Sequence, residues 1–257
     1  MDKTSLGDRM KEYENASRFY LPKRLPVIIR CDGRAFHTLT HNFDRPFDVV
    51  FHTAMIETAR KLCESIMGAK IAYTQSDEIS ILLTNNDNIN TQPWFDNNLQ
   101  KIVSIAAASA TAYFNEFFNW YSVSPSSCPY KLNKPATFDA RAFVLPEDEV
   151  VNYFIFRQQN ATRNSIQMAA RAMFTHKECD HKNCNDLQEM LWQKGINWND
   201  YKVWEKRGSA IIKVKQEEND VMRHRWVEDT ETPIFTEDRM YIENLLKGDK
   251  SYTSNDA

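Results

Sequence analysis

Tyr73-Thr74-Gln75-Ser76-Asp77-Glu78 is the stretch around which this chain folds. It lies between two runs rich in strand-forming residues, Lys70-Ile71-Ala72 and Ile79-Ser80-Ile81-Leu82-Leu83. Two such runs joined by a polar corner predict a β-hairpin with two acids at its bend. Upstream, the apolar run 26–29 continues into Arg30-Cys31-Asp32-Gly33-Arg34, so a second predicted strand also ends on an acid.

The acids Asp32, Asp77 and Glu78 would converge if these strand ends are neighbours in one sheet. Converging carboxylates repel one another and are usually held together by a divalent cation, and oxygen ligands favour Mg²⁺. Gly33 is consistent with such a site because a residue without Cβ lets its backbone approach a metal or phosphate closely. Paired acids of this kind form the core of nucleotidyl-transfer sites with two metal ions. The alternative is that Asp32 and Asp77 are solvated turn residues.

The bulk composition is that of an ordinary globular protein. The 257 residues can bury a full-sized core, with 42% of them hydrophobic and 26% charged. A net charge of -3 does not indicate nucleic-acid binding, so any RNA-binding surface must be local.

Cysteine usage and the N-terminus predict the compartment. The cysteines are odd in number and scattered, unlike a secreted disulfide framework. They are Cys31, Cys63, Cys128, Cys179 and Cys184. The N-terminus lacks the apolar core of a signal peptide, and no apolar run approaches the length of a membrane span. We therefore expect a cytoplasmic protein without membrane association.

Hydrophobic periodicity predicts the order β-α-β-β-α-β in the first half of the chain. The predicted strands cover 25–31, 69–74, 78–83 and 136–144, and the predicted helices cover 49–67 and 99–120, after an N-terminal helix over 4–19. Asp48 is placed to cap the first of the two central helices. This order is that of a ferredoxin-like α+β fold, an antiparallel sheet with both helices on one face. It places Asp32 and Asp77 at the same edge of the sheet.

The second half is predicted to be more helical. Helices are expected over 149–175 and 186–194, followed by a small strand pair over 209–215 and 221–227 with a charged turn between them. We therefore divide the chain into a catalytic domain over 1–146, a helical and β C-terminal region over 147–246 packed on it, and a flexible tail over 247–257.

Three motifs closely resemble those of the tRNA(His) guanylyltransferase superfamily. They are Arg30-Cys31-Asp32-Gly33-Arg34-Ala35-Phe36-His37, His41-Asn42-Phe43-Asp44-Arg45-Pro46-Phe47-Asp48 and Ala72-Tyr73-Thr74-Gln75-Ser76-Asp77-Glu78. Segments 156–166, 194–198 and 206–208 extend the resemblance, which runs from about Tyr20 to Val214. The chain is most similar to the guanylyltransferase-like 3′-to-5′ RNA polymerases.

The resemblance implies a polymerase-type palm that adds nucleotides to the 5′ end of RNA. In such enzymes ATP activates a 5′-monophosphorylated RNA, and the 3′-hydroxyl of GTP or another nucleoside triphosphate then attacks the activated phosphate. The resemblance assigns two Mg²⁺ ions to Asp32, the Gly33 carbonyl and Asp77, and it makes Glu78 a supporting member of the catalytic acids. It further implies a tRNA or tRNA-like partner and a homotetramer.

Phosphate groups need donors, and the matched motifs supply candidates. The predicted nucleotide-binding residues are Arg30, Arg34, Ala35, Phe36, His37, Arg45, Asp48, Ser76 and Lys206. The predicted RNA-binding residues are Arg157, Arg163, Asn164, Arg207 and Lys213. For each lone arginine the alternative is an ordinary solvated surface residue, and His37 could instead cap the turn after Phe36.

One departure from the superfamily pattern affects the predicted reaction. Eukaryotic guanylyltransferases carry a His-Ile-Asn-Asn-Leu-Tyr-Asn signature, associated with tRNA(His) recognition, where this chain has Thr162-Arg163-Asn164-Ser165-Ile166-Gln167-Met168. We therefore favour template-dependent repair of 5′-truncated tRNA over addition of a single G₋₁ to tRNA(His). Two hypotheses from different functional classes stay open. One is a palm-type nucleotide cyclase, since cyclases share this sheet and its paired acids, and the second is a non-catalytic RNA-binding module.

The segment His176-Lys177-Glu178-Cys179-Asp180-His181-Lys182-Asn183-Cys184 contains four potential zinc ligands. They are packed more tightly than the separated ligand pairs of structural zinc sites. We predict a polar loop between helices here rather than a zinc site.

Overall fold

The computed structural model describes residues 4–122, 132, 134–218 and 221–247. Over these ranges the chain forms a six-stranded antiparallel sheet with helices on both faces. In chain order the elements are α1 (Ser5–Ala16), β1 (Val27–Gly33), α2 (Phe36–Leu39), α3 (Val49–Ser65), β2 (Ala69–Gln75), β3 (Glu78–Leu83), α4 (Leu99–Ser122), β4 (Phe138–Val144), α5 (Val150–Met173), α6 (His176–Cys179), α7 (Cys184–Gln193), α8 (Val203–Arg207), β5 (Ser209–Glu218), β6 (Val221–Asp229) and α9 (Arg239–Lys247).

The strands lie in the order β4-β1-β3-β2-β5-β6. β1 is therefore an inner strand, paired with β3 on one side and β4 on the other. The predicted hairpin is present, since β2 and β3 pair from Gln75 opposite Glu78 to Ala69 opposite Leu83. In the β1–β3 register Asp32 lies directly opposite Glu78. The two strand ends that carry the acids are thus adjacent, as predicted.

One face of the sheet packs against α3 and α4. Its core contains alternate strand residues such as Ile29, Ile79 and Ile81, all fully buried. Ala106 and Ala110 of α4 belong to the same core, and their small side chains let the helix lie close to the strands. The alternation explains this arrangement, because successive strand residues point to opposite faces.

The opposite face packs against α5 and α9. Ile28, Ile71 and Leu82 form its strand layer, with Phe154 of α5 and Ile242 of α9 buried against them. The C-terminal region therefore covers the sheet face that α3 and α4 leave open. This mixed α/β arrangement around an antiparallel sheet agrees with the predicted α+β class.

The predicted C-terminal strand pair does not stand apart from the first sheet. β5 pairs with β2, from Thr74 opposite Ser209 to Ala72 opposite Ile211, and β6 continues the sheet. The sequence prediction also missed α9 and the short helices α6 and α8. Helix α1 is present, but none of its residues is buried.

Several predictions lie partly or wholly outside the described residues. These are the loop between α4 and β4, most of the predicted tail and part of the turn between β5 and β6. The domain boundaries at 146 and 246 stay predictions. Within the described part of the chain, none of the helices combines the length and apolar character needed to cross a bilayer.

Candidate active site

The site begins at the two-residue bend of the β2–β3 hairpin. Ser76 adopts a left-handed backbone, with φ of 49°, and Asp77 follows it. The backbone N–H of Gly33 donates to the Asp77 carbonyl oxygen over 3.0 Å, which joins the end of β1 to the bend. Burial raises the pKa of the Asp77 carboxyl, and the negative charge of Asp32 raises it further. The two aspartates therefore lie close enough for the charge of Asp32 to affect the Asp77 carboxyl.

An aromatic cluster beneath the site fixes the turn after β1. A Cβ built on Gly33 would lie 2.4 Å from the Phe36 ring, so a larger residue there would displace that ring. Phe36 is buried and makes edge contacts with Phe114 and Phe138, with ring centroids 5.3 and 5.0 Å away. Ala35, with φ of 57°, turns the chain into α2. The position of Gly33 therefore depends on packing in the core.

The donor chemistry at this edge fits Mg²⁺. Asp32 and Asp77 supply carboxylate oxygens, Gly33 supplies a backbone carbonyl, and hard cations prefer such oxygen ligands. Burial raises the Asp77 pKa most and the charge of Asp32 adds to it, and a bound cation would offset both effects. Among the described residues, no set of three or more His, Cys, Asp or Glu side chains is arranged around a metal position. Any ion here would rely on these two carboxylates together with backbone, substrate and water oxygens.

An open cavity of about 490 Å³ lies at the hairpin bend beside Asp77. Gly33 and Asp77 line it, together with six of the predicted nucleotide-binding residues, namely Ala35, Phe36, His37, Arg45, Asp48 and Ser76. Residues 33–48 and the hairpin bend thus form one continuous wall. The cavity can hold a nucleotide, because its volume lies within the range of about 300–1,000 Å³ that small-molecule sites have.

Asp48 stabilises this wall from within. Its buried carboxylate accepts from the backbone N–H of Phe51 over 2.7 Å, which caps α3 as predicted, and from that of Asp44 over 3.1 Å. Arg45 donates to the His41 carbonyl over 3.3 Å. The loop before α3 is therefore held by its own hydrogen bonds at the cavity.

Three predicted nucleotide-binding residues are not among those that line the cavity. Arg30 lies within β1 and pairs with Asp32 over 3.1 Å. Arg34 is exposed just beyond β1. Lys206 donates to the Asn199 carbonyl over 2.6 Å, so its ammonium group already has a partner.

Comparison with known proteins agrees with the geometry. The Thg1 (tRNAHis guanylyltransferase) family model matches residues 7–146. A bacterial tRNA(His) guanylyltransferase (Thg1)-like protein in complex with ATP is 51% identical to this chain and superposes with a TM-score of 0.84, over 95% of this chain and 99% of the other. The chain belongs to the Thg1 family.

Two further comparisons extend this result. A bacterial Thg1-like protein in complex with GTP is 50% identical, with a TM-score of 0.82 over 95% of this chain and 99% of that one. The tRNA(His) guanylyltransferase of Debaryomyces hansenii is 27% identical over 218 residues, 79% of this chain and 78% of that protein. Members of the Thg1 family are nucleotidyltransferases, and this chain is accordingly an enzyme of that class.

Glu78 faces away from the cavity. It is buried beside Arg157 of α5, with which it forms a close ion pair, and its carboxylate lies 3.7 Å from the Arg30 Nε. Burial raises the pKa of the Glu78 carboxyl, and the two guanidiniums oppose that effect. The prediction that Arg157 belongs to an RNA-binding surface was wrong, because its guanidinium is buried against the sheet.

The other residues predicted for RNA binding by this Thg1 family member lie on three different elements. Arg163 of α5 is exposed and donates to Asn160 over 3.0 Å. Asn164 lines a second, small cavity of about 70 Å³ beside the first. Arg207 donates to the Thr232 carbonyl over 2.8 Å, and Lys213 on β5 lies 5.9 Å above the Trp226 ring.

Helix α5 also brings residues to the first cavity that the site prediction missed. Met168, Arg171 and Ala172, in the last two turns of α5, line it together with the hairpin bend. Only the position of Arg171 in a basic helix hinted at this contribution. No local motif could reveal it, because the contact depends on how α5 crosses the sheet.

The His176–Cys184 segment of this Thg1 member serves as a connection between helices. Thr175 caps α6 and Asn183 caps α7, and in each case the backbone N–H of the cap residue donates in return to the side chain of the third residue of the helix. His181 lies 3.5 Å from Asp180. The polar residues here thus have local structural partners.

Proposed function

We propose that this protein is a Mg²⁺-dependent nucleotidyltransferase that adds nucleotides, directed by a template, to the 5′ end of truncated tRNA. The main support is one observation. The three sequence motifs of the family meet around a single cavity at the acidic end of β1 and the hairpin. Similarity to bacterial proteins that bind ATP and GTP supports a nucleoside triphosphate as the occupant.

We assign the first part of the chain to a ferredoxin-like, polymerase-type palm. In support, β1, α3, β2, β3, α4 and β4 follow one another in the β-α-β-β-α-β order, and the first four strands lie in the order β4-β1-β3-β2. The acids lie at one edge of this unit, as a nucleotidyl-transfer site requires. The proposal includes a homotetramer in the cytoplasm.

Asp32, the Gly33 carbonyl and Asp77 would hold two Mg²⁺ ions. When bound, such ions activate an attacking oxygen and neutralise charge that develops on phosphate oxygens. The backbone hydrogen bond between Gly33 and Asp77 fixes the two strand ends relative to each other. The two carboxylates would therefore hold the ions at defined positions. Ser76, His37 and Arg45 lie where they can donate to phosphate oxygens within the cavity.

The reaction has two phosphoryl-transfer steps. First, a 5′-phosphate oxygen of the RNA attacks the α-phosphorus of ATP, the bond to the β-phosphate breaks, and pyrophosphate leaves. Then the 3′-hydroxyl oxygen of the incoming nucleoside triphosphate attacks the activated 5′-phosphorus, a proton is released, and AMP leaves. The cavity walls orient both reactants, because phosphoryl transfer depends mainly on positioning and charge stabilisation.

The choice between templated repair and G₋₁ addition rests on α5. Residues 162–168 replace the signature associated with tRNA(His), and Asn164 and Met168 from this segment line the two adjoining cavities. We infer that this wall accepts a base pair formed with a template rather than one fixed guanine. Similarity to tRNA(His) guanylyltransferases favours G₋₁ addition as the second candidate.

The test is incorporation of labelled nucleoside triphosphates into a 5′-truncated, 5′-monophosphorylated tRNA with ATP and Mg²⁺. We expect the nucleotide complementary to the template base to be added, and the preference to change when that base is changed. Addition of G opposite every template base would support G₋₁ addition instead. A cyclic nucleotide formed without RNA would indicate a cyclase, and RNA binding without pyrophosphate release would indicate a binding module.

A further inference from the structure

A buried ion pair joins helix α5 to strand β3 at the acidic strand ends. Arg157 is buried and contacts Glu78, and its Nε has no hydrogen-bond partner among the described residues. The next residue, Gln158, donates to the Pro233 carbonyl and accepts from the Phe235 N–H, both over 2.8 Å. Burying such a pair costs several kcal/mol unless its geometry is favourable. The hydrogen bonds of Gln158 therefore hold α5 in a position that buries this ion pair.

The charged pair continues as a chain of alternating charges toward the active site. Glu78 lies 3.7 Å from the Arg30 Nε, and a terminal nitrogen of Arg30 lies 3.1 Å from the Asp32 carboxylate. Arg30, Asp32 and Glu78 share one face of the sheet, because Asp32 is directly opposite Glu78 and side chains alternate along β1. The order is Arg157, Glu78, Arg30 and Asp32.

A second contact from α5 supports the same arrangement. The Ser80 hydroxyl donates to Glu78 over 3.3 Å and lies 2.9 Å from the hydroxyl of Tyr153, which is also on α5. Glu78 is thus held by its own strand and by two side chains of the C-terminal region, one of them through Ser80. The matched family model ends at residue 146, before either of them.

We propose that Arg157 is a positioning residue for nucleotidyl transfer, and this inference rests on the proposed function. Because Arg157 pairs with Glu78, Arg30 remains paired with Asp32. That second pair keeps the Asp32 carboxylate at the strand end beside Asp77. Without Arg157, the buried Glu78 would attract Arg30, its nearest remaining cation, away from Asp32. The C-terminal region would therefore complete the catalytic site of the first domain.

The test uses a double-mutant cycle in the full chain. Arg157→Met removes the guanidinium, and Glu78→Gln removes the acid that would attract Arg30. The double variant removes both charges and leaves Arg30 with Asp32. Arg239→Met is the matched control, because Arg239 of α9 is exposed and donates to Asn152 of α5 over 3.0 Å. Each variant is assayed for labelled nucleotide addition and for thermal unfolding with GTP, in Mg²⁺ or in EDTA.

We expect Arg157→Met to lower kcat about 100-fold while the KM for the nucleoside triphosphate changes less than about threefold. The kcat of the double variant should be at least about tenfold higher than that of Arg157→Met, so the effects of the two substitutions are not additive. The additional rise in Tm that Mg²⁺ gives over GTP alone should shrink in Arg157→Met and return in the double variant. Arg239→Met should match the wild type in all three measurements.

The inference is overturned if kcat and the Mg²⁺-dependent rise in Tm are unchanged in Arg157→Met, or if the losses simply add. Should Arg157→Met fail to fold, the double variant decides, since a folded double variant without nucleotide addition also overturns it. A wild type that adds no nucleotide to any RNA would refute the proposed function instead. The Mg²⁺-dependent rise in Tm would then still test the coupling.

Discussion

Asp77 and Glu78 are neighbours in sequence, but they lie in opposite environments. Asp77 lines the open cavity beside Gly33, whereas Glu78 is buried between the sheet and α5 with Arg157 as its partner. One residue of offset at a hairpin bend separates a candidate reaction site from a buried ion pair. Residue type alone therefore does not define a role at this edge, because the groups packed around each side chain decide it.

The largest expected effect is at the two strand-end aspartates. Asp32→Ala or Asp77→Ala should lower nucleotide addition by about 1,000-fold or more, because each removes a carboxylate proposed to hold Mg²⁺. Circular dichroism should show the wild-type fold. Asp139→Ala is the matched control, since Asp139 of β4 lies opposite Asp32 in the strand register but has a side chain that is 60% exposed. Full activity in either site variant would refute the assignment.

On the buried side the main effect should be on stability. Glu78→Ala leaves the Arg157 guanidinium buried without its carboxylate, which should cost about 3–5 kcal/mol of unfolding free energy. Urea denaturation measures this loss. Asp77→Ala should cost far less by the same measurement. Equal losses for the two variants would contradict the contrast between their environments.

The two arginines of α5 offer a smaller test of the same contrast. Arg171 is exposed and lines the cavity, while Arg157 is buried and paired with Glu78. Arg171→Gln should raise the KM for RNA or nucleotide by about tenfold, as expected for one lost phosphate contact, with unchanged Tm. Steady-state kinetics at two salt concentrations would show it. An unchanged KM would show that Arg171 does not contact the substrate.

The smallest expected effect concerns pH. The pKa of Asp77 is raised in the fold by burial and by Asp32, so its folded pKa lies above its unfolded value. Its contribution to stability is then present at acidic pH and is lost as pH rises through the folded pKa. In the absence of Mg²⁺, Asp77→Asn should therefore gain Tm relative to the wild type as pH rises from about 3 to 7. A constant difference would mean that the pKa of Asp77 is not raised.

Much of the fold was predictable because its signals are local. The hairpin around Ser76 and Asp77, the cap at Asp48 and the alternating strands depend on residues within a few positions of each other. The predicted convergence of Asp32 with the hairpin followed from strand order alone. The short helices and α9 were missed because their periodic patterns are too brief.

Local signals failed where long-range packing decides the outcome. Arg157 looked like a surface arginine, but 79 positions separate it from the Glu78 that it meets. Lys206 was predicted at the nucleotide, yet its ammonium group binds the Asn199 carbonyl. β5 was predicted as part of a separate pair, whereas it joins the edge of β2.

By itself, the sequence determined the order of strands and helices, the acidic strand ends and the family motifs, because these depend on residue type and short spacing. The tertiary structure decided that Asp77 faces the cavity while Glu78 faces Arg157, and that α5 closes the site with Met168 and Arg171. The physical reason is that burial and charge pairing arise only when distant segments pack together. In this chain the path of α5 across the sheet brings those segments together.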